Sequence, residues 1–101
     1  MFLVFRADAS VLIGTGHVMR SLAIAEEAMM RGHKCYLVGT LGGITWLEKS
    51  VSSLKIPHVE NIELLPFHVF NSAVLIIDSY LIPPNENSIN PHIWRNVIAI
   101  A

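Results

Sequence analysis

Short apolar runs alternate along this chain with longer segments in which apolar and polar positions mix at helical spacing. Met1–Arg6, Cys35–Val38, Ala73–Ile77 and Val97–Ile100 are β-branched, aliphatic or aromatic runs bounded by turn or polar residues. Their apolar character is continuous rather than alternating, which predicts strands covered on both faces in a parallel sheet. Ile56–Val59 predicts a weaker strand, since Pro57 confines it to a strand start or an edge. Between Gly16 and Arg31, Met19, Leu22, Ala23, Glu26, Met29 and Met30 recur at three-and-four spacing, and all but Glu26 are apolar. Gly32 follows as a stop, so this segment predicts a helix. A second helix is predicted from Ile44 to Leu54, with Trp46, Leu47, Val51 and Leu54 on one face. Two more are predicted near Pro66 and at Asn90-Pro91, where Asn suits an N-cap and Pro the first helical position.

Strand, helix, strand, helix, strand is the order of an α/β fold: a Rossmann-like, mostly parallel sheet with helices on both faces. The 101 residues fit one domain, 1–101, without repeats or low-complexity tracts. Pro83-Pro84-Asn85-Glu86-Asn87-Ser88 reads as a loop at the sheet's edge. Val97–Ala101 reads as a buried strand with no helix or polar tail after it, so a piece of a longer polypeptide is expected.

Composition narrows the function classes. Hydrophobic residues make up 52% and the mean hydropathy is +0.51, too apolar for a disordered chain. No apolar run exceeds five residues, against the roughly 18 needed to span a bilayer. Arg6 interrupts the first run and no basic segment precedes Phe2, so a secretory signal is not expected. A net charge of -1, with Lys and Arg scattered, argues against nucleic acid as a partner. The single cysteine, Cys35, cannot form an internal disulfide, which points to the cytoplasm. It reads as a buried, inert thiol.

Ligands of open parallel sheets sit beyond the carboxyl ends of the strands. Arg6-Ala7-Asp8-Ala9-Ser10, Gly39-Thr40-Leu41-Gly42-Gly43 and Asp78-Ser79-Tyr80 fall there, and the first runs on through Ile13-Gly14-Thr15-Gly16-His17-Val18-Met19-Arg20. Gly14 and Gly16 match two positions of a dinucleotide fingerprint, but Met19 takes the third glycine's place and no acidic residue ends the second strand. A Walker A loop is excluded, because no Gly-Lys-Ser/Thr occurs. Gly14-Thr15-Gly16 instead offers a turn whose backbone N–H groups can approach a ligand. His17 follows in the helix's first turn, where the positive dipole end disfavours imidazolium and suits a proton acceptor. Asp8 is placed to orient that imidazole or to bind a substrate hydroxyl. Arg6 stands on the cleft floor, within reach of a ligand or paired with Asp8 or Asp78.

Arg6-Ala-Asp-Ala-Ser10, Ile13-Gly-Thr-Gly-His-Val-Met-Arg20 and Asp78-Ser-Tyr80 together resemble the UDP-sugar hydrolases of pseudaminic acid synthesis, a family also labelled spore coat polysaccharide biosynthesis proteins. The resemblance implies the N-terminal lobe of a two-lobed GT-B architecture, with the C-terminal nucleotide-binding lobe absent from these residues. It implies cleavage of the anomeric C–O bond of a UDP-linked diacetamido-trideoxy sugar, with water as acceptor, UDP as product and no metal or cofactor. His17 would then be the general base. Asp78 and Tyr80 would line the sugar pocket, and Arg6, Asp8, Gly14, Thr15 and Gly16 would contact substrate from the loop. A GT-B glycosyltransferase lobe with a hydroxyl acceptor, or a non-catalytic sugar-nucleotide-binding module, are the alternatives.

The remaining candidates read as structure. Gly42-Gly43 reads as a plain turn rather than an anion nest, having no basic neighbour. His33, His58, His68 and His92 are too scattered for a metal site. Met19, Met29 and Met30 read as core, and Trp46 and Trp94 as core or lobe-interface anchors. A lobe without its partner should expose surplus apolar surface and pair with itself through it.

Overall fold

The apolar runs lie side by side, every one parallel to its neighbours. In the computed structural model, which describes residues 1–78 and 93–100, the strands are β1 (Phe2–Arg6), β2 (Lys34–Val38), β3 (His58–Val59), β4 (Ala73–Ile77) and β5 (Asn96–Ala99). They form one sheet in the order β3-β2-β1-β4-β5. The chain leaves β1 in one direction to build β2 and β3, then returns past β1 to build β4 and β5. The carboxyl ends of β1 and β4 therefore flank the point where the strand order reverses, the position at which such sheets form a crevice. Register follows the sequence closely: Phe2 pairs with Lys34 and Ala73, and Arg6 with Val38 and Ile77.

Alternation along the strands builds two cores. Phe5, Ala7, Ala9 and Leu37 join Val18, Leu22, Ala25 and Ala28 of α1 (Gly16–Met30) and Leu47 and Val51 of α2 (Thr45–Ser53) on one face. Val4, Val38 and Leu75 face the other way and pack with Ile62, Leu65, Val69 and Trp94. Each large aliphatic or aromatic side chain sealed this way contributes about 1.5–3 kcal/mol. Among the described residues both α-helices thus cover one face, and two 3₁₀ turns (Ile62–Leu64 and Phe67–Val69) help to cover the other. These turns stand where a helix is expected near Pro66. Leu65, just before the proline, is extended (φ -72°, ψ 150°), because a residue preceding proline is pushed out of the α region. The helix expected at Asn90-Pro91 and the loop at Pro83–Ser88 lie outside the described residues.

Helix α1 turns a different stripe inward from the one its largest residues predict. Val18, Ser21, Leu22, Ala25 and Ala28 are buried, whereas Met19 and Met30 are exposed and Met29 is only partly covered. Ser21, Ala25 and Ala28 are small, so the helix axis can lie close to the sheet, and the long methionines are left on the flanks. Trp94 is buried against the Phe70 ring, but Trp46 is half exposed. Val11, Leu12, Leu64 and Phe67 also reach water. Cys35 is buried, which pushes its thiol pKa up and leaves little thiolate at neutral pH. Among the described residues no helix is long and apolar enough to cross a membrane.

Candidate functional site

The segment joining β1 to α1 has its own architecture. Ser10 and Gly14 exchange backbone hydrogen bonds at 3.3 and 2.8 Å, closing a small hairpin with Val11, Leu12 and Ile13 at its tip. Gly14 takes φ +80°, which an L side chain rarely adopts, and so lets the chain reverse. Thr15 caps α1 with backbone only, Gly16 begins the helix, and His17 lies in its first turn. The β2–α2 loop braces this segment: Ala9 N–H donates to Thr40 O at 2.8 Å. Gly39 makes that fit possible, for a Cβ there would sit 1.9 Å from Ala7 O.

At the carboxyl end of β4, Asp78 continues the alternation of the strand. Ile76 packs in the helix-side core and Ile77 in the opposite one, so Asp78 turns toward α1. Its side chain is fully buried. His17 Nδ1 lies 2.8 Å from Asp78 Oδ1. Arg20 Nε donates to Oδ2 at 2.8 Å, and Arg20 Nη2 donates to Oδ1. Burial alone would raise the Asp78 pKa. The hydrogen bonds and positive charges of Arg20 and His17 outweigh burial and hold the carboxyl below its ordinary range. An ionised carboxylate can only accept, so Nδ1 carries the hydrogen of this contact, and in the neutral ring Nε2 is then the proton-accepting nitrogen. The arrangement is an oriented imidazole backed by a buried anion, able to take a proton and to stabilise the resulting imidazolium.

The loop residues divide between two places. Asp8 does not orient His17. Arg6 and Asp8 alternate with the helix-facing Phe5, Ala7 and Ala9, so they share the opposite side and pair at 2.7 Å. Asp8 Oδ1 also accepts the Thr40 N–H at 2.9 Å. Asp78, expected to line a pocket, has both oxygens engaged by the protein and none of its side chain in water. Gly14, Thr15 and Gly16 stand immediately before His17, as the sequence requires. Tyr80 lies outside the described residues. The residue that sequence reasoning left without a role is Arg20. The available signal was its spacing, for residues three apart on a helix share a face and Arg20 stands three after His17.

A cavity of about 490 Å³ beside Gly42 and Gly43 is separate from this cluster, and its lining contains none of His17, Arg20 and Asp78. Glu48 and Glu60 line it and would repel an anion, so the paired glycines act as a turn. Among the described residues no three His, Cys, Asp or Glu side chains gather where they could hold a metal ion.

The fold defines a Rossmann-like α/β unit with an Asp–His–Arg cluster at its switch point. Comparison of the chain with protein-family models, with curated proteins and with solved structures gave no match.

Proposed function

We propose that this chain is the N-terminal lobe of a cytoplasmic, metal-independent UDP-sugar hydrolase, acting on a UDP-linked diacetamido-trideoxy sugar in surface polysaccharide synthesis. The observation that carries the reading is the 2.8 Å contact between His17 Nδ1 and buried Asp78, within a loop motif resembling that family. His17 Nε2 takes a proton from water, and the water oxygen bonds to the anomeric carbon. The anomeric C–O bond breaks, and its electron pair leaves with UDP. Asp78 supports the imidazolium formed on the way. The glycine turn leaves room for the sugar, and a second lobe holds the nucleotide.

In the polypeptide carrying both lobes, His17→Asn should lower turnover about 10²–10⁴-fold, the usual worth of a general base. The assay is UDP release from UDP-sugar with no acceptor present. Undiminished turnover would remove His17 from the chemistry and leave this lobe a binding role only. Release that requires an added hydroxyl acceptor would make the enzyme a transferase.

A further inference from the structure

We propose that Arg20 is the positioning residue of this site: by gripping both oxygens of Asp78, it shares the carboxylate with His17 and weakens the pull of that anion on a second ring proton.

The geometry sets up a competition for one anion. Asp78 Oδ1 receives both His17 Nδ1 and Arg20 Nη2, while Oδ2 receives Arg20 Nε. A buried aspartate facing a histidine alone would draw a second proton onto the ring, since an opposite charge at hydrogen-bond distance favours the charged form. The guanidinium is permanently charged and forked, so it satisfies the carboxylate bidentately and answers that negative charge first. His17 then keeps the orienting hydrogen bond while the electrostatic pull toward imidazolium is reduced.

Among the described residues, the other charges near this end of the sheet do not reproduce this effect. On β1 and its loop, Arg6 and Asp8 are paired with each other on the opposite side. On α1, the positive end of the helix acts in the same direction as Arg20, and neither Asp nor Glu occurs in the first turn. From β4, Asp78 supplies the anion. Arg20 is also the cluster's most exposed member, its side chain 48% accessible against 20% for His17. Solvent therefore screens part of its charge and tempers its effect on the shared anion.

The role of Arg20 in turnover rests on the hydrolase reading, but the proton balance can be measured without any substrate. The test is the NMR titration of the His17 ring, identified by the resonance lost in His17→Gln. Removing the cation with Arg20→Gln should raise the His17 midpoint by about one pH unit. Arg20→Lys, which keeps the charge, should return it to within about half a unit of the native value. An Arg20→Gln midpoint that is unchanged or lower overturns the proposal. If Arg20→Gln loses its folded spectrum, Asp78→Asn decides: the midpoint should fall by about a unit as the ring meets the guanidinium without the shared anion. A midpoint at or above the native one overturns the proposal there too. With substrate, the acid limb of kcat/KM in Arg20→Gln should move up with the titration, so its deficit is larger at low than at high pH. A merely structural arginine would lower kcat/KM equally at every pH. If the native protein hydrolyses no UDP-sugar, the functional reading fails while the titration still decides the role of Arg20.

Discussion

Asp78 and Asp8 both follow a strand at the same end of the sheet, and both accept hydrogen bonds from an arginine, yet they are held in different ways. Asp78 is sealed beneath α1, and its partners stand 58 and 61 residues away in sequence. Asp8 keeps 20% of its side chain in water and pairs with Arg6 two residues earlier. The first carboxylate ties a helix to a distant strand through two side chains, and the second joins its neighbouring arginine to one backbone N–H of the β2–α2 loop. Burial and the kind of partner, rather than residue type, distinguish the two.

The largest stability effect expected here comes from the backbone beneath Asp8. Gly39→Ala would drive a Cβ to within 1.9 Å of Ala7 O at φ +142°, costing on the order of 4 kcal/mol from overpacking plus strain. Urea unfolding would show it, and a loss below that of Asp8→Ala would break the view that backbone fit dominates on this side. Asp78→Ala comes next, at about 3 kcal/mol, the low end for a broken buried pair because both partners reach water. Asp8→Ala should cost only about 1 kcal/mol, as expected for an accessible pair with one backbone contact. Equal losses from the two aspartates would dissolve the contrast between them.

Acid sharpens it further. The Asp78 pKa is lower in the folded chain than its ordinary 3.8. Its contribution is therefore fully present above that value and is lost as pH falls through the folded pKa. The stability gap between the native protein and Asp78→Asn should narrow as pH falls below about 4. A gap that widened below about pH 4 would mean the carboxyl is protonated, not ionised, in the native state.

The same contrast explains what could be read from the chain before folding. The five strands and two α-helices were legible because each is a local pattern of apolar residues bounded by breakers. The Arg6–Asp8 pair was open to reading because two residues on extended chain share a side. Asp78 could be seen at a strand end, but its approach to His17 depends on β4 returning next to β1, which no local pattern encodes. The inward stripe of α1 departs from its methionine pattern because side-chain size alone does not signal burial. Close helix–sheet contact instead selected Ser21, Ala25 and Ala28. Near Pro66 a turn does begin at Phe67, but Phe70 is extended (φ -62°, ψ 150°) and Asn71 takes φ +71°, so it does not continue into a helix.

The small hairpin before His17 has an evolutionary consequence. Its two backbone hydrogen bonds join Ser10 to Gly14, so Val11, Leu12 and Ile13 hang beyond a closed ring and carry none of the register of α1. A change of length or composition in those three residues should end at the ring and leave Gly16 and His17 in place. Loops closed in this way can diverge while the scaffold below is kept. The tip is thus free to drift in sequence, independently of the Asp–His–Arg cluster a few residues on.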